Sequence, residues 1–267
     1  MKNTIRTLLI ITSTLIIVAA VITSCISLNQ NARYVFTKKR STAPVDAFVL
    51  IEVNQKMTPV SCQTTDKNID CKKLLSSLPP VESGWSGSGL LVESSAGPGI
   101  LTAAHVCRQD TPVFIEHKGV RIVISKSTVI KAHSPIKGTY TTKILRLDLG
   151  NDLCLLKPNK VFTYPIAIAK EIPKMGNKVY AIAAPYGISG QNMALVFSGF
   201  YSGNKDGRAF YTIPTRPGSS GAAVLNEKWE VIGMIHTAFR YFESVGIGTD
   251  LVDVRTFLFS SSSEFEI

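Results

Sequence analysis

Arg216-Pro217-Gly218-Ser219-Ser220-Gly221-Ala222-Ala223-Val224-Leu225 is the stretch whose reading decides the fold. A glycine two residues before Ser220 and another directly after it make a tight turn, and the run from Ala222 reads as a short buried strand. Glycine takes backbone angles that other residues avoid, so Gly218 allows neighbouring amide N–H groups to converge on one point. A point of that kind can hold a developing oxyanion. Of the two serines, only Ser220 has glycines at both of these flanking positions. Gly-Ser-Ser-Gly is also an ordinary flexible turn, so its meaning depends on what other segments supply.

Two upstream segments supply it. Ile100-Leu101-Thr102-Ala103-Ala104-His105-Val106 is an apolar strand that ends on a histidine. Asn151-Asp152-Leu153-Cys154-Leu155-Leu156-Lys157 places an aspartate at the start of another apolar strand. A serine hydroxyl is a poor nucleophile until a base takes its proton. Histidine titrates near neutral pH and can accept that proton and return it to a leaving amine. A buried carboxylate holds the imidazole in the required tautomer and stabilises the imidazolium. Asp148 is the rival for the acid; Asp152 is preferred because the apolar run begins directly after it. His117 and His133 fall in polar turns and read as solvated. The order His, Asp, Ser excludes an α/β-hydrolase esterase, which needs Ser, Asp, His and helices alternating with parallel strands.

The rest of the chain supports an all-β architecture. Short β-rich runs occur at 47–53, 86–93, 100–106, 112–116, 120–125, 143–148, 153–157, 178–183, 194–201, 209–213, 222–226, 231–237 and 244–249. Gly, Pro, Asn or Asp separate them. Residues 54–84 read as a surface insertion with a short helix at 72–78, and residues 251–258 as a closing segment. No repeat of fixed period is present, which disfavours a propeller or solenoid.

Thr-Ala-Ala-His105, Asp152-Leu-Cys-Leu-Leu-Lys and Gly218-Ser-Ser220-Gly221, in that order, resemble the chymotrypsin-like (trypsin-like) serine protease superfamily. Ser86-Gly-Ser-Gly-Leu-Leu and Pro217-Gly-Ser-Ser-Gly are most similar to its HtrA-like and glutamyl-endopeptidase-like branches. The resemblance implies two six-stranded antiparallel β-barrels spanning residues 45–260. It implies a serine endopeptidase acting on protein or peptide substrates, with His105 and Asp152 from the first barrel and Ser220 from the second. Gly218 and Ser220 N–H would form the oxyanion hole. Ser219 stands where digestive relatives carry an aspartate that pairs with a new N-terminus, so activation by that salt bridge is not expected. Ala222-Ala223 replaces the usual glycine and proline, which keeps an inactive protease-like binding domain as the alternative. No PDZ-like domain is expected after the second barrel.

The resemblance also places the specificity pocket. Ile213, Pro214 and Thr215 should line its floor; none is acidic, which disfavours a Lys/Arg preference. Ile235-His236-Thr237-Ala238 should form one wall. Glutamyl-specific relatives use a histidine in this strand, but here one extra residue precedes His236, and side-chain alternation would turn it away unless a bulge intervenes. Acidic and small-to-medium apolar preferences both remain open.

Composition sets the outer limits. The chain has 267 residues, 45% hydrophobic, with a formal net charge of +10. No nucleic-acid motif or basic stripe interleaved with aromatics accompanies that charge, so no nucleic-acid partner is expected. Residues 8–22 are almost wholly apolar and follow Lys2 and Arg6, so residues 1–25 read as a signal peptide or membrane anchor. Ile22-Thr23-Ser24-Cys25 loosely resembles a lipobox. Residues 26–44 read as a linker and 261–267 as a tail, with the large C-terminal part outside the cytoplasm. The five cysteines show no zinc-ligand spacing, and no metal or organic cofactor is called for. Cys62 and Cys71 could close a loop; Cys107 and Cys154 are either a bridge or two buried thiols.

Overall fold

Runs with one face to bury become strands, and the Gly, Pro and Asn breaks between them become the turns of two closed sheets. The computed structural model describes residues 40–66, 68–108, 114–239 and 242–260. Its first half holds β1 (Phe48–Thr64), β2 (Val81–Val92), β3 (Gly99–Ala103), β4 (Phe114–His117), β5 (Val120–Ser134), β6 (Gly138–Asp148) and β7 (Leu153–Pro158). The order β1-β2-β3-β7-β6-β5 closes on itself because β1 also pairs with β5. β4 is added outside this ring, on β5.

The second half holds β8 (Lys178–Ala183), β9 (Leu195–Lys205), β10 (Arg208–Tyr211), β11 (Ala222–Leu225), β12 (Val231–Phe239) and β13 (Phe242–Asp250). They close as β10-β13-β12-β11-β8-β9. Closure removes the unpaired edges that a flat sheet would expose. The fold is therefore the expected pair of six-stranded antiparallel barrels.

The stretch 54–84 departs from the expected surface insertion. β1 continues to Thr64, pairing with β2 as far as Met57↔Val81 and with β5 as far as Thr64↔Val120. Polar residues extend these strands because backbone pairing, with little burial beyond Gln55, is what holds them there. Pro59 is accommodated because the register with β5 shifts between Pro59 and Ser61, where a ladder donor is not required. The short helix is present as α1 (Cys71–Ser77), with the Asp70 carboxylate accepting from Lys72 and Lys73 N–H. A disulfide ties Cys62 of β1 to Cys71, with Cα atoms 5.4 Å apart. β5 and β6 likewise outrun the expected strands, so His133 lies within β5 and not in a turn. Its ring bonds Thr139 Oγ1 at 2.8 Å and Glu52 Oε2 at 2.7 Å.

Two further helices follow β3 and β13. α2 (Ala104–Cys107) is the single turn that continues from β3. The closing segment is α3 (Leu251–Phe259), capped by Asp250, whose carboxylate accepts from Asp253 N–H. Leu251, Val254, Phe257 and Leu258 form its buried face, at helical spacing. Val254, Phe257 and Leu258 pack with the first-barrel core, Leu251 with the second. The apolar run at 8–22, Cys25 and the tail 261–267 lie outside the described residues. Among the described residues, no helix is long and apolar enough to cross a membrane.

Candidate active site

His105 sits on α2 because β3 ends there. The three residues Ala104, Val106 and Cys107 are buried, so the turn is anchored while the His105 side chain stays about half exposed. A disulfide joins Cys107 to Cys154 of β7, Cα to Cα 6.5 Å, and fixes the turn to the strand that begins after Asp152. Trp85 Nε1 donates to Val106 O at 2.8 Å from the other side.

Asp152 occupies the positive-φ position of the turn before β7 (φ 55°), a conformation Asp tolerates better than most residues. Its Oδ2 accepts from His105 Nδ1 at 2.7 Å and its Oδ1 from His105 backbone N–H at 2.9 Å. Its own carbonyl accepts from Ala104 N–H at 3.0 Å. Burial pushes the Asp152 carboxyl up, but the His105 hydrogen bonds and the His105 and His236 charges outweigh it and hold the group below its ordinary value. Asp148, the rival, instead caps its own loop by accepting from Asn151 N–H and Nδ2.

Ser220 lies in the turn between residues 216 and 222. Gly218 takes φ 93°, and a Cβ there would stand 2.5 Å from Ala184 O. Gly221 takes φ 88°, and a Cβ there would stand 2.2 Å from Ser88 O. Both positions therefore demand glycine for angle and for space. Within this turn, Arg216 N–H donates to Ser219 Oγ, Ser219 N–H to Arg216 O, Gly221 N–H to Ile235 O and Ala222 N–H to Ser219 O. Among the described residues, the N–H groups of Gly218 and Ser220 have no acceptor. Ser219 is 1% exposed, and its hydroxyl closes the turn by accepting from Arg216 N–H.

The Ser220 hydroxyl donates to His236 O at 3.2 Å; among the described residues it makes no hydrogen bond to His105. His236 is the extra residue of a bulge in β12, since the register with β13 skips from Ile235↔Gly248 to Thr237↔Ile247. Its ring lies toward the first barrel, with Nδ1 3.8 Å from Asp152 Oδ2. Ile213 is 1% exposed and belongs to the second-barrel core, and Pro214 is exposed, while Thr215 is buried with its Oγ1 donating to Ile213 O. Thr237 is exposed and Ala238 half-buried.

Sequence reasoning passed over Ser88. This residue of β2 is fully buried and stitches the barrels together. Its N–H donates to Ser220 O at 2.7 Å and its Oγ to Gly218 O at 2.8 Å, while Oγ accepts from Ala184 N–H at 2.9 Å. Thr102 Oγ1 donates to Ser88 O at 2.8 Å. The signal was its glycine flanks: a Cβ at Gly87 would stand 2.7 Å from Val106 and 3.0 Å from Ser220 O, so the strand must pass bare. Glycine around a small polar residue marks close backbone approach.

Comparison with known proteins agrees with this architecture. A serine endoprotease from Yersinia pestis aligns with a TM-score of 0.52 at 19% identity, covering 79% of this chain. This chain spans 60% of that protein's length. Rv3671c from M. tuberculosis H37Rv, in an inactive serine-to-alanine form, aligns with a TM-score of 0.53 at 13% identity, covering 83% of this chain and 93% of its own. At such identities the likeness is one of fold. No curated protein matches the sequence. Residues 87–234, more than half of the chain, match the trypsin-like peptidase domain. The chain belongs to that family, within the chymotrypsin-like superfamily.

Proposed function

We propose that this trypsin-like serine endopeptidase cleaves peptide bonds through an acyl-enzyme on Ser220, with His105 as base and Asp152 as its partner. The observation that carries the reading is the pair of amides at Gly218 and Ser220 without an acceptor among the described residues, in a turn whose other N–H groups are all satisfied. A buried or half-buried N–H without an acceptor is costly unless a ligand takes its place. Two of them flanking one hydroxyl are donors aimed at an oxyanion.

Asp152 holds His105 through both the ring and the backbone, so Nε2 is left as the basic nitrogen. Ser220 turns its hydroxyl from His236 O toward that nitrogen as the substrate carbonyl arrives; such contacts are commonly loose in a free enzyme and tighten on binding. His105 takes the proton, the Gly218 and Ser220 amides stabilise the tetrahedral oxyanion, and the imidazolium then protonates the leaving amine. Water repeats the sequence on the acyl-enzyme.

Two disulfides among the described residues point to a domain outside the reducing cytoplasm. Residues 45–260 form the peptidase domain in this reading, with residues 1–25 exporting or anchoring it. The preferred substrate is a protein or peptide with a small-to-medium apolar residue before the cleaved bond. His236, the one candidate for recognising an acidic side chain, has its ring beside Asp152.

The test is labelling by a fluorophosphonate probe together with casein hydrolysis. Wild type should label and cleave. Ser220→Ala should lose both, by a factor on the order of 10⁶ in turnover where the triad acts as a unit. Equal labelling of the two would overturn the assignment in favour of a protease-like binding domain.

A further inference from the structure

His236 touches both ends of the candidate machinery. Its backbone carbonyl accepts from the Ser220 hydroxyl at 3.2 Å, and its ring Nδ1 lies 3.8 Å from Asp152 Oδ2. That same oxygen accepts from His105 Nδ1 at 2.7 Å. One carboxylate oxygen therefore faces two imidazoles, one from each barrel. The bulge in β12 is what makes this possible, because it inserts His236 as an unpaired residue between Ile235, buried in the second core, and the exposed Thr237. The His236 side chain is only 15% exposed.

We propose that His236 is a positioning residue whose neutral ring leaves Asp152 to His105, and whose protonation withdraws Asp152 and switches the enzyme off. This rests on the Ser220–His105–Asp152 reading above.

The physical case is a competition for one charge. At 3.8 Å a neutral ring makes no hydrogen bond, so Asp152 Oδ2 serves His105 alone. A proton on His236 turns that neighbour into a cation that can close to a charge-assisted bond with the same oxygen. Catalysis also requires His105 to become an imidazolium. With His236 already charged, two cations would flank one carboxylate, and the reacting state loses its stabilisation. The charged groups acting on His236 are Asp152 and His105 from the first barrel and Arg208 from β10. Burial lowers the His236 pKa, Asp152 raises it, and Arg208 and His105 lower it again, with a net shift downward. The ring is thus neutral near neutral pH and takes its proton only in acid. Activity then requires two imidazoles to be free of protons.

The experiment measures the fluorophosphonate labelling rate of wild type and His236→Gln from roughly pH 4 to pH 9, spanning the ordinary histidine range. Glutamine keeps a polar side chain that does not titrate. Wild type should lose rate in acid with a limiting logarithmic slope approaching two, and His236→Gln with a slope of one. Relative to its own plateau, the variant should exceed wild type by about tenfold for each pH unit below the His236 midpoint. Superimposable profiles would overturn the proposal. A second readout does not need activity: imidazole NMR titration of Ser220→Ala. The His236 ring should titrate there with a curve that departs from a single site, and a single-site His236 curve would also overturn the proposal. Should Ser220→Ala label like wild type, the nucleophile assignment fails by itself, while the NMR curves still decide the role of His236. Should His236→Gln fail to fold, His236→Asn and the same NMR titration replace it.

Discussion

Replacing Ser88 with alanine removes one oxygen from a fully buried site and should damage both stability and chemistry. That oxygen donates to Gly218 O at 2.8 Å and accepts from Ala184 N–H at 2.9 Å. In Ser88→Ala both main-chain groups stay in place without partners. Each such orphan costs about 1–3 kcal/mol, so the variant should lose roughly 2–6 kcal/mol. For a domain of this size each kcal/mol is worth about 2–4 °C, which predicts a melting point lower by roughly 4–24 °C. The Ser88 N–H bond to Ser220 O survives the substitution, so Ser220 keeps its own anchor. What loosens is the Gly218–Ser219 peptide, next in the chain to the Gly218 N–H, which has no acceptor among the described residues.

Losing an oxyanion donor altogether costs a factor of about 10²–10³; a donor that is only loosened should cost less, about 10- to 100-fold in labelling rate. Thermal unfolding followed by circular dichroism and probe labelling at low temperature, where the variant is fully folded, separate the two effects. Unchanged melting would refute the bonding argument. A lower melting point with an unchanged labelling rate would refute the link between Ser88 and the Gly218 amide.

Three other perturbations probe neighbouring parts of the molecule. Cutting the Cys107–Cys154 bridge, 47 residues apart, should cost about 4 kcal/mol by loop entropy. Cutting Cys62–Cys71, nine apart, should cost about 2.6 kcal/mol, so paired Cys→Ser variants in urea should rank in that order. Gly97→Ala and Gly221→Ala impose nearly the same backbone angle, φ 94° and 88°, but only Gly221 is crowded. The first should lose about 1–2 kcal/mol and stay active, while the second should yield no folded protein on expression and size-exclusion analysis. Burial raises the Asp46 carboxyl, but Arg40 and Thr163 outweigh it and hold its pKa below the ordinary value. Its contribution is therefore complete above about pH 4 and fades as pH falls through the native value, so wild type and Asp46→Asn should converge in stability in acid.

The candidate site residues were picked out by their neighbours. Ser220 stands out by its glycines, Asp152 by the apolar run after it, and His105 by the strand that ends on it. The turn and strand signals also carried the barrel architecture, because closed sheets need many short runs with one buried face. Long-range pairing is what stayed hidden. The extensions of β1, β5 and β6 carry mostly polar residues, so only the partner strands explain why they are ordered. The same holds within the site. The bulge that could have returned His236 to the pocket is present in β12, but it sets the ring beside Asp152. No pattern along β12 names a residue whose partner comes from the other barrel. Ser88 makes the point from the opposite side: its two glycines announce a close approach, but what approaches, the turn carrying Gly218 and Ser220, lies more than a hundred residues away and appears only once both barrels have closed.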